Sequence, residues 1–597
     1  MEKDISNKDR WNLEDIYQNQ DEWEKDFGKV EMLLSEAGKF QGRLGECADS
    51  FFGALHLSAQ IQELIVKVHS YARMKLDENN ANPLAQALFG RAAALLTRVE
   101  TALSFITPEI LSLPEGTVSN FRHDSRFALY CHYLDDVFRQ KPHTLTGIEE
   151  QLVARTGEIT RTPDDFFKML NNADLTFPKI RDDQENEVEV TKGNFIKLMQ
   201  NRNRRVRYEA FQALYGTYQK LENTFASALN AAIKRDIFYA SVRRHQSARS
   251  AALFADHIPS AVYDSLVQTV RSNLGEMNRY MKLRKKILGL DQLHMYDIYV
   301  PLAEDVKWVI PFPDAVAMLK NGVAVMGDSY LKILSRGLDS RWVDLDERKG
   351  KTGGAYCDSI YGVHPFLLLN YQNNLDSTFT LAHEMGHALH FYYSSQEQPF
   401  IYSHPAIFTA EVASTVHESL LMEHLLQTTS DRDERDKKIY LLNYYLEIFR
   451  GTLFRQTMFA EFEKIIHEKA ENGEALTSYF LKEAYHELNT AYHGEGMVVD
   501  AEIDMEWARI PHFYDAFYVY KYATGLSAAV SLVQQILTKG TPAVERYLSF
   551  LNKGGSDYPL NLLQEAGVDM ASPHPVQDAI NRFSGLLDEL EALSGVG

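Results

Sequence analysis

The chain has 597 residues, 45% of them hydrophobic and 24% charged, which suits a folded globular protein with room for more than one core. Its formal charge of −20 opposes any polyanionic partner and so weighs against nucleic acid, and no run approaches the ~18 apolar residues that a membrane span needs. Cys47, Cys131 and Cys357 are too dispersed for a metal pair or a disulfide framework, and the opening Met1–Ser6 is polar, so a reducing, cytoplasmic setting is expected.

Helix dominates the first stretch. Apolar Ile61, Leu64, Ile65 and Val68 recur at three- and four-residue spacing over 21–110, with Pro83 and Pro108 punctuating the pattern and Pro114 following it. No repeat of fixed period is present, which excludes a simple solenoid. Leu175–Ile180 and Glu187–Thr191 flank a polar turn and predict a small hairpin near 175–191, with a domain boundary beside it. Arg202, Arg204, Arg205 and Arg207 follow. In so acidic a chain they read as a locally ion-paired helix start rather than an anion site.

Helices resume over 194–288, and a mixed region runs over 296–369. Its strand candidates lie around Trp342–Leu345 and in Phe366–Tyr371. Gly353-Gly354-Ala355-Tyr356-Cys357 has neither a P-loop nor a dinucleotide pattern. It is either a plain turn or a place where another backbone, such as a peptide laid along a sheet edge, comes close.

The segment His383-Glu384-Met385-Gly386-His387 fits H-E-x-x-H. Ser377–Thr380 offers helix N-caps and Leu381, Ala382, Ala388 and Leu389 continue an apolar face, so the pattern falls on a helix. Residues four apart share a helix face, which lets both imidazoles reach one metal ion and places Glu384 beside its water as a general base. A tetrahedral catalytic zinc needs a third protein ligand. A third histidine six residues on is absent, since position 393 is Tyr. A carboxylate on a returning helix is the other solution. Glu411, 24 residues past His387, is preferred, with Glu397, His404, His417 and Glu418 as competitors. Glu418 could orient a ligand histidine instead, and His390 reads as a packed or supporting histidine on the metal side. After this region helices return to the C-terminus.

Within them Pro511–Tyr522 is rich in aromatic residues. Tyr514, Tyr518 and Tyr522 repeat every four positions, so one helix face could carry all three. The bland reading is core packing. Yet so many polar tips need partners, and with His512 they could donate hydrogen bonds to an oxyanion in a cleft.

At this point the residues resemble a known family. Gly353–Tyr356, Thr380–His390, Ala410–Thr415, Pro511–Gly525 and the opening Arg10–Tyr17 are similar to oligoendopeptidase F, in the thimet oligopeptidase superfamily of zinc peptidases. The resemblance implies a mainly α fold of two lobes around a deep channel that admits short unfolded peptides, with a small sheet next to the H-E-x-x-H helix. It implies an N-terminal helical part, 1–195, before a catalytic part, 196–597. One zinc ion would be bound by His383, His387 and Glu411, with Glu384 as base. His512 and the tyrosines, Tyr518 and Tyr514 before Tyr522, would bind substrate and stabilise the intermediate, and Gly354, Ala355 and Tyr356 would line the peptide. The expected reaction is hydrolysis of internal bonds in short peptides. A zinc carboxypeptidase of similar architecture and a non-catalytic helical peptide-binding protein are the competing readings.

Overall fold

The computed structural model describes residues 10–303, 306, 308–430 and 434–595; the polar opening Met1–Ser6 lies outside them. The fold is mainly α. Among the described residues, five short strands make up the sheets: β1 (Lys179–Arg181), β2 (Glu187–Glu189), β3 (Val343–Asp344), β4 (Tyr356–Ser359) and β5 (Pro365–Leu368). Among those residues, no helix is long and apolar enough to cross a membrane. The chain divides into two compact units, neither continuous in sequence: the first holds 1–142, 308–421 and 535–567, the second 143–307, 422–534 and 568–597.

The first unit is built on three long helices, Gln20–Ala37, Ala48–Glu78 and Pro83–Leu103. Asn82 caps the third and Pro83 opens it, which suits a first turn with no amide partner. Trp11, Trp23, Ile61 and Val68 share one buried core with Ile360, Phe366 and Leu368. The buried indoles are satisfied: Trp23 Nε1 donates to the Val68 carbonyl at 3.0 Å and Trp11 Nε1 to Glu78 at 3.0 Å. The sheet runs β3-β5-β4. Wholly buried β5 lies in the middle, parallel to β3 and antiparallel to β4. Both β4 and β5 pack on the helix Leu375–Glu397, which also packs on Thr541–Lys553.

The second unit pairs β1 with β2 as an antiparallel hairpin. Its helices include Arg204–Gln219, Glu222–Val242, Arg435–Ile448, Arg455–Glu471 and His574–Ser594. The arginine run is ion-paired. Arg204 and Arg207 meet the buried Asp297 at 2.7 and 2.6 Å, and Arg205 meets Glu209 at 3.0 Å. Phe449, Phe454 and Tyr280 pack around Phe583 in its core.

Candidate active site

The helix Leu375–Glu397 carries the H-E-x-x-H motif. Its cap lies three residues before the first one expected from sequence. Asn373 adopts a left-handed φ of 53°, and Asn374 Oδ1 accepts the Ser377 amide at 2.8 Å, so Asn374 is the cap and Ser377–Thr380 lie inside the first turns. The helical spacing brings His383 Nε2 and His387 Nε2 to 3.1 Å. Glu411, on the helix Ile407–Thr428, places its carboxylate oxygens 3.6 Å from His383 Nε2 and 3.9 Å from His387 Nε2. Ligand atoms about 2.0–2.1 Å from a tetrahedral zinc stand roughly 3.3 Å apart, so this triangle has the right size for one ion.

The chemistry of the donors fits as well. His383 Nδ1 donates to Glu418 Oε1 at 2.6 Å, which leaves Nε2 to face the Glu411 oxygens, where a bound cation would take the place of its proton. Electron-rich atoms converging in this way could hold a metal ion. Burial works against charge on His383, but the Glu418 hydrogen bond and charge outweigh it and lift the pKa to about 9. Burial, with His383 adding, drops His387 to about 3. Glu384 is 7% exposed. Burial pushes its carboxyl to about 7, with His383 opposing.

Gly386 explains why the two helices can meet so closely. A Cβ there would stand 2.6 Å from Ser414 Cα and 2.8 Å from the Ala413 carbonyl, so only a bare Cα lets Glu411 approach the histidines. No role was assigned to this glycine from sequence, although a glycine inside a helix, costing ~1 kcal/mol against Ala, was a signal.

The other candidates lie elsewhere. Glu397 ends the motif helix. His404 stacks edge-on against Phe391, and fully buried His417 hydrogen-bonds Tyr330. His390 makes no hydrogen bond through either nitrogen and packs 5.3 Å from Phe550. It is thus packed, one of the two roles the sequence allows, and it gives no hydrogen bond to His387 three residues before it. Gly354 takes a left-handed φ of 81°, and its carbonyl accepts Asn370 Nδ2 at 2.8 Å. Ala355 leads into β4, where the Tyr356 hydroxyl donates to Asp77 at 2.6 Å. The outer edge of β4 pairs with no strand among the described residues. Burial, and then the Glu384 charge, raise the Cys357 thiol, in keeping with β4 running beside the motif helix.

In the second unit the aromatic segment is not one helix, and the shared face expected for three tyrosines does not exist. Pro511–Tyr514 is a 3-10 turn, residues 515–519 are irregular, and the next helix starts at Tyr520. The break is Phe517, whose φ of 56° is left-handed and costs a β-carbon residue about 1–3 kcal/mol. The surroundings hold it there. Buried Glu463 accepts the Phe517 amide at 3.0 Å, and Arg235 donates to the Tyr514 carbonyl at 2.7 Å. The turn still gathers three side chains: the His512 ring lies 6.0 Å from Tyr518 and 5.8 Å from Tyr522, and His512 Nε2 is 3.3 Å from the Tyr522 hydroxyl. Burial keeps His512 below its ordinary pKa. The Tyr514 ring stacks on Phe167 at 4.4 Å instead.

Comparison with known proteins agrees with these features. A profile of peptidase family M3 matches residues 197–582, and one described as oligopeptidase F matches 109–177. Oligopeptidase PepF of Bacillus subtilis is 44% identical over 591 residues, covering 99% of this chain and 88% of that one. Group B oligopeptidase PepB of Streptococcus agalactiae is 39% identical, covering 99% and 98%. The crystal structure of oligoendopeptidase-F from Enterococcus faecium superposes with a TM-score of 0.74 at 36% identity, covering 96% of this chain and 99% of that one.

Proposed function

The chain belongs to peptidase family M3, and from that membership we propose that it is a zinc endopeptidase cleaving internal bonds of short unfolded peptides, with Glu384 as general base. The observation that carries the reading is the triangle of His383, His387 and Glu411 with Glu384 next to its first member. The family supplies peptidase chemistry.

Zinc held by His383, His387 and Glu411 would lower the pKa of a bound water to about 7 and polarise a peptide carbonyl. Glu418, hydrogen-bonded to His383 Nδ1, fixes that ring's tautomer and direction. Glu384 takes the proton of the attacking water and returns it to the leaving amine. A neighbouring dication would draw its buried carboxyl down from about 7, toward the ionised form that a base needs. The unpaired edge of β4, entered through Gly354 and Ala355, takes the substrate backbone as an added strand. His512 and Tyr518, with Tyr522 next to them, donate hydrogen bonds to the oxyanion. Tyr514, committed to Phe167, supports that turn from behind. In this reading every catalytic side chain falls within 196–597, although residues 308–421, which carry the metal site, share a compact unit with residues before 143. Three unpaired cysteines suit a reducing, cytoplasmic setting.

The test joins metal analysis to a quenched peptide blocked at both ends. Wild-type protein is expected to contain one zinc, to cut the peptide internally and to lose activity with chelator. Glu384→Gln should lower kcat by about 10³-fold or more while keeping its metal. Retained activity in Glu384→Gln would remove the base, and cleavage only after the C-terminus is freed would make the enzyme a carboxypeptidase.

A further inference from the structure

In the second unit, Phe449–Phe454 winds as a π-helix between Arg435–Ile448 and Arg455–Glu471. Single π turns within α-helices recur at functional sites. Here the turn carries Arg450, 5% exposed, to the wall of a cavity of about 30 Å³ that Arg455 also lines. Methionine and phenylalanine side chains make much of the remaining wall.

The charges around this cavity do not balance. Glu506 meets Arg455 at 2.7 Å and Arg509 at 2.8 Å. Glu447 meets Arg450 at 2.7 Å and Arg284 at 3.3 Å. Four guanidinium groups therefore share two carboxylates. Burial alone would raise Glu506, but Arg455 and Arg509 hold it at about 2, and Glu447 is likewise held down by Arg450 and Arg284, so both are ionised. Two positive charges are left over inside a chain whose net charge is −20. Buried charge without a counter-charge is strongly unfavourable.

Hydrogen-bonding capacity is left over as well. Arg450 turns Nε and Nη2 to Glu447, and Arg455 turns Nη2 to Glu506; Nη1 of each has no hydrogen-bond partner among the described residues. The hydroxyl of Tyr299, whose ring lies 5.0 Å from the Arg450 guanidinium, has none either. Two of the residues that line the cavity also carry an unused acceptor. His493 gives its Nδ1 proton to the Asn489 carbonyl at 3.0 Å and is kept neutral by burial, at a pKa of about 4, so its Nε2 is a lone pair. Asn489 Oδ1 is buried without a partner.

We propose that this cavity binds a small monovalent anion of halide size, gripped by Arg450, Arg455 and Tyr299. A water needs ~10–15 Å³ of such space, so the volume suits one ion and one water and is too small for a phosphate ester or a peptide end. The companion water gives one hydrogen to the anion and the other to Asn489 Oδ1 or His493 Nε2. The ion offsets one of the two unmatched charges. None of this depends on the peptidase reading.

The full chain, melted at equal ionic strength in sodium bromide, chloride, formate and gluconate, tests the site. Bromide and chloride are expected to raise Tm by roughly 2 °C or more over gluconate, and the difference should vanish in Arg450→Met. Tyr299→Phe keeps every charge and should weaken half-saturation by bromide about tenfold, which preserves the test if Arg450→Met does not fold. Crystals soaked in bromide should show an anomalous peak beside Arg450. A peak without a halide-specific Tm difference means an adventitious ion only and overturns the proposal, as does the absence of a peak. Stronger protection by formate than by bromide overturns the halide assignment in favour of a carboxylate, and unchanged half-saturation in Tyr299→Phe overturns the assigned grip.

Discussion

The two groups of candidate catalytic residues are built in opposite ways. His383, His387 and Glu411 stand on regular helices, and their spacing follows from helical periodicity and one close crossing at Gly386. His512, Tyr518 and Tyr522 stand on a broken segment whose shape is imposed by partners distant in sequence. The first group is held by local geometry and the second by a strained turn with two ties. Disturbing the helix pair should therefore cost metal, whereas disturbing the turn should cost turnover and leave metal in place.

The sharpest way to break the contrast is Gly386→Ala. The added carbon meets backbone, not a movable side chain, so the helices must part and carry Glu411 outward. Metal affinity is expected to fall about 100-fold, with a stability loss of ~1–3 kcal/mol, read by zinc titration and melting. Full occupancy in this variant would show that the crossing is not what sets the site. Tyr518→Phe comes next. It should lower kcat by roughly 10- to 100-fold with KM and zinc content nearly unchanged, and an unaltered kcat would remove Tyr518 from the donors. Glu463→Leu takes away the acceptor for the Phe517 amide and should lower kcat about tenfold, while Glu463→Gln, which can still accept that hydrogen bond, restores most of it. Equal defects in both would mean that the carboxyl acts by another route.

The smallest effect concerns acid. Burial holds His390 at about 3, below the ~6.5 of the unfolded chain. A depressed folded pKa contributes stability that is fully present above pH ~6.5 and is lost as pH falls toward 3, because the unfolded chain takes up the proton first. His390→Leu removes that proton site. Its acid-unfolding midpoint should shift down by a fraction of a pH unit, and a midpoint that stays put would mean that His390 is not a source of acid lability.

Legibility in the sequence follows the same division. The mainly α character, the strand run before the motif helix and the shared face of His383 and His387 could be read because each rests on short-range periodicity, whereas the choice of Glu411 among its competitors leaned on the family resemblance. The four-residue tyrosine repeat misled, because a left-handed Phe517 is stabilised by Glu463 and has no signature of its own in Pro511–Tyr522. The clasp of Tyr356 by Asp77 joins residues 279 apart, and the second unit's cavity sets Arg450 and Arg455 against Tyr299, Asn489 and Glu506 from separate segments. Neither was readable before the chain was folded.

The interleaving of the two units has a consequence for biosynthesis. His383, His387 and Glu411 leave the ribosome before the helix that backs them, Thr541–Lys553, with Phe550 against His390, and before residues 568–595, which the second unit needs. Neither unit can close its core during most of translation. A nascent chain thus presents His383, His387 and Glu411 before the segments that complete the two cores have been made, so their arrangement waits on sequence far downstream of the motif.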